Sequence, residues 1–134
     1  MVIEVRVPAQ VDDAAGKTEA STVLEKEDTI AIYGSNEFAA KAIINANGGF
    51  KESKLGADKI LAVGFDSGAL QQDAIRKGIF VGSVTQDPVQ IGYQAVKLAI
   101  AAAKGETVKD VDTGSKWYDA KNIDSEEIKA LLYE

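Results

Sequence analysis

Short apolar runs alternate with amphipathic stretches along most of the chain. Five runs predict strands, because they are short and rich in β-branched and other apolar residues, while apolar residues at helical spacing predict the helices between them. The predicted strands are 2–7, 29–34, 59–65, 79–84 and 111–119. The predicted helices are 13–26, 37–47, 69–77 and 88–104, with a short helix or tail over 124–134.

Capping residues support these helix boundaries. Asp12 stands where an N-cap is expected for the first helix, and Asp87 followed by Pro88 is a typical start for the last long one. Gly78 and Gly105 follow two predicted helices at the position where a left-handed residue often ends a helix. The helices are therefore marked by local chemistry as well as by apolar spacing.

The alternation predicts an α/β fold. Strands that are apolar throughout have no polar face to show to water, so they indicate a parallel sheet with helices on both faces. We find no linker, internal repeat or low-complexity segment, and residues 1–134 are predicted to form a single domain.

Polar residues follow four of the predicted strands. Because right-handed crossovers bring the carboxyl ends of parallel strands to one edge of the sheet, these residues are expected along a common rim. Carboxylates and amides on such a rim suit a polyol, since Asp accepts bonds from hydroxyls while Asn and Gln both donate and accept. The rim residues are Gln10, Asp12, Ser35, Asn36, Asp66, Ser67, Thr85 and Gln86.

A local interpretation of the same residues stays open. Asp66 could cap the helix that begins near Ala69, Asn36 could cap the helix that begins at Glu37, and Gln86 could be a solvated loop residue. The aromatic side chains of the middle of the chain are assigned to the core and Trp117 to packing. These core aromatics are Tyr33, Phe38 and Phe65.

Composition narrows the possible functions. The chain has no cysteine and no histidine, which argues against disulfides, thiolate and imidazole chemistry and most hydrolases. Its 15 basic and 21 acidic residues give a net charge of −6 without a basic cluster, so nucleic acid is not an expected partner. Neither a dinucleotide fingerprint nor a phosphate-binding loop is present. We therefore predict no enzyme activity, catalytic residue, cofactor or metal site.

Three blocks of the sequence resemble one known family. They are "AIYGSNEFAAKAI", "ILAVGFDSGALQQDAIRKGIFVGSVTQDPVQIGYQAVKLAIAAAKGE" and "VDTGSKWYDAKNID". In order and spacing they are similar to segments of the periplasmic-type sugar-binding proteins of ABC importers, the type I solute-binding family that includes ribose- and galactose-binding proteins. The resemblance runs from about residue 5 to residue 124 and concerns the carboxyl-terminal lobe of those proteins.

The resemblance implies a sugar-binding site and a fold. Family members are clamps whose ligand lies between two doubly wound, flavodoxin-like lobes. Asn36 and Asp66 fall on the sugar-binding asparagine and aspartate of the family, and Gln86 falls on the glutamine near the last crossover. "VPAQVDDAAG" resembles a turn in which an aromatic side chain stacks on the sugar; this chain has Val11 there, followed by Asp12.

The resemblance also implies partners. The family's amino-terminal lobe is missing from this chain, and an ABC permease and an extracytoplasmic location belong to the parent protein, although "MVIEVRVPAQ" contains no export signal. The helix over 88–104 packs with the missing lobe in the family. Here we expect it to fold back onto the sheet, or a homo-oligomer to cover its apolar stripe. That stripe is Ile91, Ala95, Leu98 and Ala99.

Two other functions stay open. One is the effector-binding lobe of a LacI-type sugar-responsive repressor, which shares this fold but carries a DNA-binding headpiece that the sequence lacks. The other is a phospho-receiver domain, suggested by Asp12 and Asp13 with Asp66 as the acceptor. No lysine follows the fourth predicted strand, where a receiver requires one.

Overall fold

The computed structural model describes residues 2–133, and five helices and four strands lie within them. Each of the first three strands is followed by a helix, as the sequence pattern predicts. In chain order the elements are α1 (Asp13–Leu24), β1 (Ala31–Tyr33), α2 (Glu37–Ala46), β2 (Leu61–Phe65), α3 (Ala69–Arg76), β3 (Gly82–Gln86), α4 (Pro88–Ala103), β4 (Ser115–Tyr118) and α5 (Glu126–Lys129).

The strands form one mixed, mostly parallel sheet in the order β1-β2-β3-β4. Tyr33 is in register with Val63, and Phe65 with Val84, in the two parallel pairs. β4 runs antiparallel to β3 and closes the far edge. The predicted α/β class is confirmed, and the carboxyl ends of β1, β2 and β3 meet at one edge, which is the edge that the rim residues require.

Small and β-branched residues build the core between the sheet and its helices. Ala40, Ala62 and Ala74 are fully buried, which lets α2 lie close to both β2 and α3. α1 packs on α2 at Gly16, where a Cβ atom would lie 2.8 Å from the Phe38 ring. Close packing of this kind leaves little room for added atoms.

The predicted strand over 2–7 is not formed. Residues 2–8, which we call the arm, form no strand, and Val5 is 80% exposed. β-branched residues favour a strand only where a neighbour supplies ladder hydrogen bonds, and within the described sheet β1 pairs with β2 alone. Tyr33, which was assigned to the core, is 57% exposed because it lies on this unpaired outer strand.

Helix α4 does not fold back onto the sheet. None of its residues is buried, and the predicted stripe from Ile91 to Ala99 faces solvent or is only half-buried at Leu98. The core beside β3 is instead covered by the segment after α4, through Tyr118, Ile123 and Ile128. This segment occupies the place that α4 was expected to take, so the fold-back prediction is wrong.

No helix in the described part of the chain is long and apolar enough to span a bilayer.

We predict that substitutions in α4 leave the stability of the lobe unchanged. Val96→Glu changes a residue that is 62% exposed, so the free energy of unfolding in urea should shift by no more than about 0.5 kcal/mol. Ile75→Ala, in the core, should lower it by about 2–5 kcal/mol. A loss for Val96→Glu as large as that for Ile75→Ala would show that α4 packs onto the sheet.

Candidate functional site

Asp66, the residue directly after β2, has a left-handed backbone. Its φ is 75°, a region that side chains other than glycine rarely adopt. Its main-chain N–H nevertheless continues the sheet and donates to the Val84 carbonyl oxygen at 2.7 Å. The chain therefore turns sharply at the end of β2 while staying attached to β3.

Three buried side chains hold this turn by donating to the main-chain oxygen of Asp66. The Tyr118 hydroxyl lies 2.8 Å away, the Ser83 hydroxyl 3.0 Å away and the Gln71 side-chain amide 3.4 Å away. All three are almost completely buried. Strained backbone persists when its surroundings over-determine it, and here three different elements do so.

Tyr118, one of these three donors, is completely buried, and its surroundings change its pKa. The pKa of Tyr118 is raised from 10.0 to about 12, mainly by burial. The Ser83 hydroxyl lowers this pKa in part, while Tyr133, Asp66 and Glu37 nearby contribute to raising it. The hydroxyl is therefore a neutral donor at physiological pH, which suits its bond to the Asp66 carbonyl.

The Asp66 carboxylate points at the beginning of α2. Its Oδ2 accepts the main-chain N–H of Glu37 at 2.9 Å, and the neighbouring Asn36 is the N-cap of α2, accepting from the Ala39 N–H at 2.9 Å. A carboxylate at a helix N-terminus is favoured by the free N–H groups and the helix dipole. The structure thus brings Asp66 and Asn36 together.

The interpretation of Asn36 and Asp66 as helix caps is confirmed for Asn36 and wrong for Asp66. Asn36 does cap its helix. Asp66 does not cap α3, whose N-cap is Gly68 without a side-chain bond. Among residues 2–133, neither Oδ1 of Asp66 nor the side-chain NH₂ of Asn36 has a hydrogen-bond partner, so an acceptor and a donor stay free side by side.

Gln86 lies on the same edge of the sheet. It is the last residue of β3, paired with Ser115, rather than a loop residue as the local interpretation had it. Its side chain is exposed and forms no hydrogen bond within the described chain. Ser67 and Thr85 are different, because they are buried and bond to each other at 3.1 Å. Those two hydroxyls stabilise the lobe and do not face a ligand.

Val11 and Asp12 lie one helix away from Asp66 and Asn36, at the beginning of α1. Val11 is 86% exposed, and Asp12 caps α1 by accepting from the Ala15 N–H at 2.8 Å. α1 reaches α2 through an ion pair of 3.0 Å between Asp13 and Lys41. No hydrogen bond in residues 2–133 joins Val11 or Asp12 to Asn36 or Asp66.

Sequence reasoning missed Tyr133, which reaches the rim from the end of the chain. Its hydroxyl donates to Oε2 of Glu37 at 3.2 Å, and its carbonyl accepts from the Gln72 side chain at 2.9 Å. Burial raises the pKa of Tyr133, as do the nearby carboxylates of Asp66 and Glu37. A contact across 96 residues leaves no signal in local spacing, so only the fold reveals it.

The chemistry of this edge suits an uncharged ligand rich in hydroxyls. Asp66 and Glu37 place two carboxylates beside the start of α2, which disfavours an anion, while free amides add donors. No group of three acidic, histidine or cysteine side chains in the described residues could hold a metal ion. The polar side chains of the rim are therefore suited to hydrogen bonds with a ligand.

We predict that Tyr118→Phe lowers the free energy of unfolding by about 1 kcal/mol, since one of the three bonds to the Asp66 carbonyl is lost. Because the pKa of Tyr118 is raised on folding, the wild-type protein should also lose stability as the pH rises from about 10 to about 12. The stabilising contribution is fully present below that range.

Denaturant unfolding at neutral and alkaline pH measures both effects. Tyr93→Phe, which changes an exposed tyrosine on α4, is the matched control and should behave like the wild type. An alkaline loss of the same size in Tyr118→Phe and in the wild type would contradict the assignment.

Comparison with known proteins places this fold in a family. The profile of the family described as "Periplasmic binding protein domain" matches residues 2–107. No curated protein sequence matches the chain.

Solved structures resemble the chain over nearly its full length. A protein from Brachyspira murdochii described as "ABC transporter, LacI family transcriptional regulator" is 44% identical with a TM-score of 0.86, over 99% of this chain and 44% of that one. An ABC transporter solute-binding protein from Agrobacterium vitis, solved with D-fucose, is 27% identical with a TM-score of 0.82, over 97% and 44%. A carbohydrate transporter solute-binding protein from Agrobacterium radiobacter, solved with D-arabinose, is 28% identical with a TM-score of 0.77, over 91% and 41%.

The chain spans less than half the length of each of these proteins. The match over residues 2–107 and the shared fold confirm the resemblance predicted from the three sequence blocks. This chain belongs to the periplasmic binding protein domain family and has the fold of a single lobe of the sugar-binding proteins of ABC transporters.

Proposed function

We propose that this chain is the carboxyl-terminal lobe of a monosaccharide receptor that serves an ABC importer, and that it binds sugar without catalysing a reaction. The observation that supports this most strongly is the placement of the Asp66 carboxylate next to Asn36 at the start of α2. The two relatives solved with D-fucose and D-arabinose support a monosaccharide as the ligand.

Asp66 and Asn36 have complementary roles in this proposal. The free oxygen of Asp66 accepts from one sugar hydroxyl, and the side-chain NH₂ of Asn36 donates to a neighbouring one. Asp66 is already locked through its main chain, so the carboxylate loses little freedom when the sugar binds. Gln86 adds a group that both donates and accepts from the end of β3.

Val11 and Asp12 contribute less in this proposal. The exposed Val11 offers a small apolar contact where an aromatic ring would cover a sugar face, and Asp12 is already engaged as the cap of α1. Specificity therefore rests on hydrogen bonds from α2, β2 and β3 more than on stacking.

One lobe supplies only half of a closed site. A sugar on this edge keeps its other hydroxyls in water, so we expect weak binding until a second lobe covers it. The apolar face of α4 is the surface that we assign to the amino-terminal lobe. Its exposed residues are Val89, Tyr93, Val96 and Ile100. An ABC permease as the partner and an extracytoplasmic location follow from the same proposal.

A second candidate is the effector-binding lobe of a sugar-responsive repressor. The name of the relative from Brachyspira murdochii, which joins "ABC transporter" with "LacI family transcriptional regulator", supports it. The two candidates share the sugar site and differ in what precedes the lobe. The reading frame that encodes the parent protein separates them, since an export signal supports the receptor and a DNA-binding headpiece supports the repressor.

Titration of the ¹⁵N-labelled chain with D-fucose, D-arabinose, D-galactose and D-ribose, followed by NMR, tests the proposal. We expect weak, saturable binding of at least one sugar, with shifts at the amides of Glu37 and Asp66 and at the side-chain NH₂ of Asn36. Asp66→Asn should weaken that binding by about tenfold, because a neutral amide oxygen replaces the charged carboxylate as the acceptor of the sugar hydroxyl.

Asp58→Asn is the matched control, since Asp58 is exposed and makes no hydrogen bond in the described chain. It should bind as the wild type does. Binding that Asp66→Asn leaves unchanged, or shifts confined to a different surface, would contradict the site.

A further inference from the structure

The segment after α5 reaches the rim of the sheet beside the start of α2. Its main chain is anchored at two points. The Leu131 carbonyl accepts from the Ser67 hydroxyl at 3.2 Å, and the Tyr133 carbonyl accepts from the Gln72 side chain at 2.9 Å. The Gln72 amide also donates to the Ser67 carbonyl at 2.7 Å. The backbone of Tyr133 is therefore held by α3 and by the turn that precedes it.

The Tyr133 side chain reaches the Glu37 carboxylate from these anchors. Its hydroxyl donates to Oε2 of Glu37 at 3.2 Å. The pKa of Tyr133 is raised mainly by burial, and the carboxylates of Asp66 and Glu37 contribute to raising it. The hydroxyl is therefore a neutral donor that lies near both carboxylates of the rim.

Gly68 lies against the second oxygen of the Glu37 carboxylate. A Cβ atom on Gly68 would collide with Oε1 of Glu37, so this oxygen lies directly beside the start of α3. The φ of Gly68 is −59°, which other residues adopt freely, so the glycine provides space rather than an unusual conformation. The exposed side chain of Glu37 is thus confined between Tyr133 and Gly68.

The charge of this confined carboxylate is not neutralised. Within the described chain, neither Glu37 nor Asp66 forms an ion pair with a lysine or an arginine. Holding an exposed, flexible side chain in one place costs conformational entropy. A ligand that hydrogen-bonds to this carboxylate gains from that ordering, because the cost is met before the ligand binds.

Building on the proposed function, we propose that Glu37 is a specificity-determining residue of the sugar site and that Tyr133 and Gly68 position it. The Glu37 carboxylate accepts a hydroxyl of a neutral sugar that is bound at Asp66 and Asn36. The same charge disfavours a sugar acid, since two carboxylates on the rim repel a third. The ligand is therefore an uncharged sugar and not a uronic acid.

A neutral and an acidic sugar compared by NMR titration test the role of Glu37. The neutral one is the sugar of the panel above that the wild type binds most tightly. The acidic one is D-galacturonate, which carries a carboxylate in place of the hydroxymethyl group of D-galactose. Glu37→Gln keeps an acceptor for Tyr133 and removes the charge, so the preference for the neutral sugar should fall by about fivefold. Glu27→Gln changes an exposed glutamate away from the rim and should keep the wild-type preference.

A double-mutant cycle tests the positioning by Tyr133 and Gly68. Tyr133→Phe removes the hydrogen bond that orients the carboxylate, so binding of the neutral sugar should weaken by about threefold. Gly68→Ala displaces the carboxylate and should have a similar effect. In a Glu37→Ala background neither change should weaken binding further, because the group that they position is gone. A merely structural contribution would weaken binding equally in both backgrounds.

The dependence of binding on Asp66 separates this inference from the proposed function. If Asp66→Asn weakens sugar binding but Glu37→Gln leaves the preference unchanged, the inference is overturned and the proposed function stands. The same holds if the effects of Tyr133→Phe and Glu37→Ala are additive. If no sugar binds to the wild type, the proposed function fails and this inference fails with it.

Discussion

The hydrogen bonds to the main-chain oxygen of Asp66 are the constraint on which the rest of this lobe depends. A left-handed backbone costs a residue with a side chain about 1–2 kcal/mol, and one buried hydrogen bond returns about 0.5–1.5 kcal/mol. Donors from Gln71, Ser83 and Tyr118 together outweigh that cost. They come from α3, β3 and β4, so the turn after β2 is held by three elements that are distant in the sequence.

The same constraint connects the fold to the proposed sugar site. With its main chain locked, Asp66 directs its carboxylate to the start of α2 and leaves one oxygen free beside Asn36. Elsewhere the described chain leaves two surfaces open, since α4 has no buried residue and β1 pairs with β2 alone.

Much of the fold could be predicted from the sequence, because most of the helices have their own apolar spacing and caps. Asp12 and Asp87 cap as predicted, and Asn36 caps as the local interpretation allowed. The failures share one physical origin. The arm has the pattern of a strand and α4 that of a packed helix, but local spacing does not report whether a neighbouring element is present to pair with the one or cover the other. The hydrogen bond from the Tyr118 hydroxyl to the Asp66 main-chain oxygen joins residues 52 positions apart, so local spacing in the sequence does not predict it.

The most direct test of the account is the position of the Glu37 amide proton in NMR spectra of the wild type and of two variants. Because the Asp66 carboxylate accepts this N–H, Asp66→Asn should move the amide proton upfield, since a neutral acceptor replaces a charged one. Asp58→Asn, which changes an exposed carboxylate elsewhere, should leave it in place. A Glu37 amide proton that does not respond to Asp66→Asn would contradict the central claim.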